Sequence, residues 1–188
     1  VVLVVGILPI GQVDATILFR VKEGLVKVFP ETTCSIVDEQ LPLSERDFDK
    51  NRKQYRSNII LNTLQGYAAK RKDCARVLGI VDADIFVPEL NFVFGEAACP
   101  GKAALISLWR LKPEFCENPP NMELFAARSV KEAVHEIGHT LGLRHCQRSS
   151  CVMHFSNSIF DTDKKQSSLC DECCMKAALA INSLEKTL

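Results

Sequence analysis

The chain opens on VVLVVGIL (1–8), an unbroken run of β-branched and aliphatic residues. Without polar alternation, such a run predicts a strand covered on both faces. Between 11 and 29, Ile17, Leu18, Val21, Leu25 and Val26 fall along one stripe, with Arg20, Lys22, Glu23 and Lys27 largely elsewhere. That pattern predicts an amphipathic helix, despite Gly24. TTCSIVD (32–38) reads as a second strand, so the first three elements form a strand, crossover, strand unit of right-handed connection. From 47 to 72, Tyr55, Ile59, Ile60, Leu64, Tyr67 and Ala68 recur near helical spacing and predict a second long helix. ARVLGIVDADIF (75–86) is a third strand that runs into Asp82 and Asp84, read as strand-end residues rather than a calcium or acid/base pair. The stretches around 91–97 and 103–111 flank the turn signature CPGK and predict a hairpin at the edge of the sheet. A proline-rich connector (112–121) leads to one helix over 121–143, whose buried side is Leu124, Ala127, Val130, Val134, Ile137 and Leu141. A last helix lies near 170–184. The alternation of strands and helices predicts an α/β (α+β) chain, a mixed sheet packed with helices.

Composition narrows this picture. With 188 residues and 47% apolar content, the chain can bury one sizeable core. A single domain over 1–188 follows, with the sheet and long helix in 1–145 and a small appendage in 146–188. Its net charge is zero, so nothing predicts a nucleic-acid or membrane partner, and a monomer is expected. KNRKQYR (50–56) accordingly reads as a solvated helix face. The apolar opening has no basic segment before it and stops at Pro9 and Gly11, too short to span a bilayer. A cytoplasmic location is the matching expectation. Nine cysteines are an odd number, unevenly spread, with five between 146 and 174. Clustered thiols without an export signal suit metal better than disulfides. Cys34, Cys74, Cys99 and Cys116 read as small buried hydrophobes.

The candidate chemistry lies in HEIGHTLGLRHC (135–146). His135 and His139 are four apart, so on a helix they share a face and can reach one metal. Glu136 is placed to hold a water at that metal and take its proton. Gly142 can adopt positive φ, ending the helix and turning the chain back toward the metal. His145 falls where a third ligand from the returning segment would sit. Three of the chain's four histidines thus lie within eleven residues. Three histidine ligands leave one tetrahedral position open, the arrangement of a catalytic zinc site.

HExxHxxGxxH followed directly by cysteine resembles the archaemetzincin branch of the metzincin metallopeptidases, as do Cys151, Met153 and the later Cys170-x-x-Cys173. The resemblance is strong over about 135–174 and weaker over 91–111. It implies a zincin-like fold with an active-site helix, a methionine turn at Met153 beneath the metal, and hydrolysis of peptide bonds with Glu136 as general base. Cleavage at amino termini and within chains both remain open. It also implies an edge strand that pairs with extended substrate, for which AALISL (103–108) is the candidate. Cys146, Cys151, Cys170 and Cys173 can form a closed second zinc site that staples the C-terminal segment, giving two zinc ions per chain. Cys174 stands as a substitute for Cys173, and a disulfide as the alternative to metal. His154 is read as a supporting or surface group. No tyrosine follows Met153, so no further oxyanion stabiliser can be named. The rival function is a non-catalytic, zinc-stabilised peptide-binding module on the same scaffold.

Overall fold

The computed structural model describes residues 2–29 and 31–184. The elements follow as β1 (Leu3–Ile10), α1 (Ala15–Val28), β2 (Thr32–Ile36), β3 (Phe48–Asp49), β4 (Gln54–Arg56), α2 (Ser57–Lys70), β5 (Arg76–Val81), β6 (Ile85–Phe86), β7 (Gly95–Ala97), β8 (Ala103–Ser107), α3 (Met122–Thr140), α4 (Ile159–Lys164) and α5 (Asp171–Ser183). The main sheet has the order β2-β1-β5-β8-β7. Its first four strands are parallel, and β7 runs antiparallel to β8. Strand alternation sends Leu3, Val5, Ile7, Leu78, Ile80, Ala104 and Ile106 into the core shared with α1 and α3. Leu8, Ile10, Val77, Val81, Ala103 and Leu105 face the other way, onto α2. The opening run is therefore covered on both faces, as its continuous apolarity predicts. Cys173, Ala177 and Ile181 of α5 join the first of these cores.

Several expectations are corrected. AALIS is not the sheet edge: β8 lies between β5 and β7 with all five residues buried, and the edge strand is β7. An apolar run without alternation belongs in the interior of a sheet, and the short, half-buried GEA stretch beside it takes the rim. The second helix begins only at Ser57. Residues 45–56 instead form a 3₁₀ turn and the short pair β3–β4. The Asp49 carboxylate accepts the backbone N–H groups of Asn51 and Arg52, and Lys53 takes a positive φ, so turn chemistry overrides the helical spacing there. Residues 85–86 leave the β5 line for the small sheet β3-β4-β6. Val26 and Ala127 are exposed. On α3, Phe125, Ala126, Arg128, Ser129, Glu132 and Ala133 are buried in addition to the expected stripe.

Two sets of contacts position the cleft. Arg52 donates to the Leu90 and Asn91 carbonyls, and Gln54 to the Asn91 carbonyl, which ties the segment before β7 to the small sheet. Arg128 makes a two-pronged pair with Asp163, and Lys131 donates to the Thr162 and Asp163 carbonyls, which fastens α4 along α3. Asp82 and Asp84 are held by Lys112 and Arg110, in keeping with a structural role.

Candidate metal centres and cleft

α3 ends as its sequence predicts. Gly142 has φ +86°, the Leu143 N–H reaches the Gly138 carbonyl at 3.1 Å, and the Gly142 N–H reaches the His139 carbonyl at 2.8 Å. This Schellman turn satisfies the last helical carbonyls and reverses the chain. It also brings the Leu143 carbonyl to within 2.7 Å of His139 Nδ1. His135 Nδ1 lies 2.8 Å from the Val152 carbonyl. A carbonyl can only accept, so both rings carry their proton on Nδ1 and leave Nε2 as a bare lone pair. Those two Nε2 atoms face each other at 3.1 Å.

Two lone pairs so opposed repel unless a cation lies between them. Two nitrogens bound to one zinc in tetrahedral geometry would stand about 3.3 Å apart, close to the separation seen. The chain after the turn completes the set, with the His145 ring centroid 5.3 Å from that of His135 and 4.9 Å from that of His139. One ring nitrogen from each of the three histidines falls within 4.8 Å of the others. Burial, and next the charge of Lys165, hold His135 well below the usual histidine range; burial likewise lowers His139 and His145. Each of these shifts favours the neutral ring, the form that ligation requires.

Met153 is fully buried, and a Cβ on Gly138 would overlap its sulfur. The methionine therefore packs on the helix backbone at Gly138, next to His139. His154 stays outside the histidine cluster and contacts the Cys146 carbonyl through Nδ1 at 2.8 Å.

Cys146, Cys151, Cys170 and Cys173 form the second cluster, their sulfurs all within 4.8 Å of one another. The Cys146 and Cys170 sulfurs are 3.8 Å apart. That is far beyond a disulfide bond of about 2.05 Å and matches the spacing of about 3.8 Å for two thiolates on a tetrahedral zinc. All nine cysteines are free, and Cys173 rather than Cys174 completes the set. Cys170 is the N-cap residue of α5, where the backbone N–H of Cys173 and the neighbouring thiols lower its pKa to about 7.

A cavity of about 570 Å³ opens in front of the histidines. Residues 90–97 line one wall, α3 contributes Glu132, His135, Glu136 and His139, and Phe155, Ser156, Asn157 and Lys165 line another. The connector 112–121 does not border it. Glu136 is buried against β7, since a Cβ on Gly95 would fall 2.6 Å from its Cγ. Burial first, then the Glu132 charge, push its carboxyl well above the usual range, with Lys165 pulling the other way. Such a carboxyl has strong affinity for a proton, which suits a base that must both take and return one. Sequence reasoning missed Glu132 and Lys165. Glu132 lies one helical turn before Glu136, a signal that spacing alone could have provided. Lys165 comes from a distant segment and has none.

A sheet covered by helices on both faces, with an HExxH helix, a returning third histidine and a methionine packed on that helix, defines a zinc-dependent metallopeptidase of the metzincin type. The model for Peptidase family M54 matches residues 20–178. The archaemetzincin of Methanocaldococcus jannaschii is 44% identical over 169 residues, covering 89% of each chain. The crystal structure of archaemetzincin from Methanopyrus kandleri superposes with a TM-score of 0.81 at 33% identity, covering 96% of each chain. That of the Archaeoglobus fulgidus archaemetzincin, complexed with malonate, gives 0.78 at 36% identity, covering 93% of this chain and 99% of that one. The chain belongs to peptidase family M54, the archaemetzincins. It is a zinc metallopeptidase with a catalytic and a structural zinc centre, and its substrates are peptides or proteins. Among the described residues, no helix is long and apolar enough to cross a membrane.

Proposed function

We propose that His135, His139 and His145 hold the catalytic zinc, that Cys146, Cys151, Cys170 and Cys173 hold the structural one, and that Glu136 is the general base. The observation that carries this reading is the pair of bare Nε2 lone pairs opposed at 3.1 Å beside a buried carboxylate in an open cavity. Zinc bound there supplies a Lewis acid that polarises a peptide carbonyl and lowers the pKa of a water toward about 7. Glu136 takes the proton from the attacking water and hands it to the leaving nitrogen, acting first as base and then as acid. β7 is the outermost strand of the sheet and lines the cavity, so an extended substrate adds there as a further strand. Residues 1–188 act as one metallopeptidase domain, monomeric and cytoplasmic, without a nucleic-acid partner.

Glu136→Gln removes the base without touching a ligand. The zinc-loaded variant is expected to keep two metals per chain while turnover of a diverse peptide mixture, followed by mass spectrometry, falls at least a hundredfold, the low end of what a general base contributes. Retained turnover would overturn the assignment of the base. The same product spectra separate cuts at amino termini from internal cuts. His139→Ala should instead bind one metal, and two would contradict its ligation.

A further inference from the structure

The cavity in front of the histidines carries a charged pair that the hydrolytic step does not use. Lys165 follows α4, its side chain is 1% exposed, and it borders the cavity together with Glu132. Burying an ammonium is costly unless its donors are met, and it has three. Its contacts are Glu132 Oε1 at 3.3 Å and the His154 carbonyl at 3.4 Å. Both are longer than the 2.7–2.9 Å of a full charge-assisted bond. Glu132 is better served, since the same oxygen also accepts the Thr162 hydroxyl at 3.0 Å. The shortfall is therefore on the donor side. A second donor in the same lining has the same deficit: the Ser156 hydroxyl is buried without a hydrogen-bond partner.

We propose that Lys165, with Ser156, forms an anion-reading subsite of the cleft that selects peptides presenting an acidic side chain to it. A carboxylate accepts only and carries the charge that pairs with the ammonium; an amide offers a single neutral acceptor oxygen, and an aliphatic side chain none. A basic side chain would pair instead with Glu96, whose Oε2 is also buried without a partner in the same lining, so a preference for Lys would mark that oxygen and not Lys165. The divalent ion at the histidines adds positive charge to the same enclosure and favours the same ligand. Lys165 acts here as a specificity residue, and the assignment deepens the peptidase reading on which it rests.

The test measures binding, so that cleavage is not its readout. Zinc-loaded Glu136→Gln protein is titrated with octapeptides carrying Glu, Gln, Leu or Lys in turn at each position. At one position Glu should bind at least about tenfold tighter than Gln, the ratio expected of one charge-assisted bond against a neutral one. Removing Lys165 alone would strand Glu132 as an uncompensated buried charge. The variant is therefore Glu132→Gln/Lys165→Met in the same background, which keeps an acceptor for Thr162 and leaves no net charge. It should bind the Glu and Gln peptides within about twofold of each other. Absence of a Glu-preferring position overturns the proposal, as does a preference for Lys. A Glu preference that survives the double variant overturns it too, because exposed Arg144 on the rim would then be the reader. Lysine-dependent Glu selectivity in a chain whose zinc-loaded wild type cuts no peptide would sustain the subsite and remove the peptidase reading instead.

Discussion

Gly138→Ala sets two known effects against each other at the floor of the metal site. Alanine in a helix interior is favoured over glycine by about 1 kcal/mol, so propensity alone predicts a more stable protein. At this position, however, the new methyl group would overlap Met153 Sδ and come within 3.0 Å of its Cε. Met153 has nowhere easy to go. It is fully buried, and its carbonyl accepts the Cys146 N–H at 2.9 Å, which pins its backbone. Overpacking of this kind costs about 1–3 kcal/mol, so the net change is a loss of about 0–2 kcal/mol. The larger consequence falls on His135, whose Nδ1 is held by the carbonyl of Val152, the residue before Met153. Displacing such supporting groups lowers metal affinity by about 10–100-fold. Denaturant unfolding of the zinc-free protein and chelator competition for the loaded one measure the two terms separately. Met153→Ala in the Gly138→Ala background should recover part of the zinc affinity by vacating the contested volume. A Gly138→Ala protein that is about 1 kcal/mol more stable and binds zinc like wild type would refute the packing account.

The other predictions concern thiols, acid and metal. Cys146→Ser should lower metal content from two ions to one and weaken the remaining ion's affinity by about tenfold, read by elemental analysis and chelator competition; an unaffected second site would show the centres to be independent. Burial, only partly offset by Lys22, raises the Cys34 thiol to about 11, so at pH 8 its thiolate is on the order of one part in a thousand. Alkylation of the native chain, mapped by mass spectrometry, should therefore spare Cys34 at pH 8 and reach it near pH 10. Hydrogen bonds from Arg71 lower the Asp73 carboxyl to about 2. A folded value below the unfolded 3.8 means stability that is fully present above about pH 4 and lost as pH falls through about 2. Asp73→Asn should thus narrow the gap between denaturant midpoints at pH 6 and pH 2.5, by little because the pair is exposed; an unchanged gap would remove Asp73 from the acid transition.

Legibility in the sequence followed the range of the physics involved. The histidine set was readable because its geometry is local: an i, i+4 pair on a helix, a glycine that permits positive φ, and a third residue three positions on. The cysteine set was readable by spacing, but the choice of Cys173 over Cys174 depends on how α5 turns toward Cys146 and Cys151, which spacing does not determine. The edge strand was misplaced because AALISL has the stronger strand pattern, although its unbroken apolarity already argued for an interior position. The helix was begun too early because a few apolar residues at helical spacing outweighed Asp49, whose side chain commits the chain to a turn. Glu132 and Lys165 meet across 33 positions, and nothing in either neighbourhood announces the other.

The two metal centres share a backbone segment that neither motif reveals by itself. Cys151 offers a sulfur to one cluster. Its neighbour Val152 turns a carbonyl to His135 Nδ1 and so fixes which ring nitrogen faces the other cluster. Met153, the next residue, underlies the helix between the histidines, while its carbonyl accepts from Cys146, adjacent to His145. Three consecutive residues therefore provide a thiolate, the orienting carbonyl and the floor. Loops of this sort are ordinarily among the least rigid parts of a fold. Binding at a closed thiolate site contributes on the order of 10–16 kcal/mol, far more than so short a segment gains from burial. The structural zinc thereby does for the catalytic centre what a packed core does for most active sites: it holds the supporting shell in place. Glu136 gains its position differently, from α3 and the close approach of β7. Loss of the thiolate metal should consequently loosen the histidines before it displaces the base, so a thiolate-site variant saturated with catalytic zinc keeps a working carboxylate.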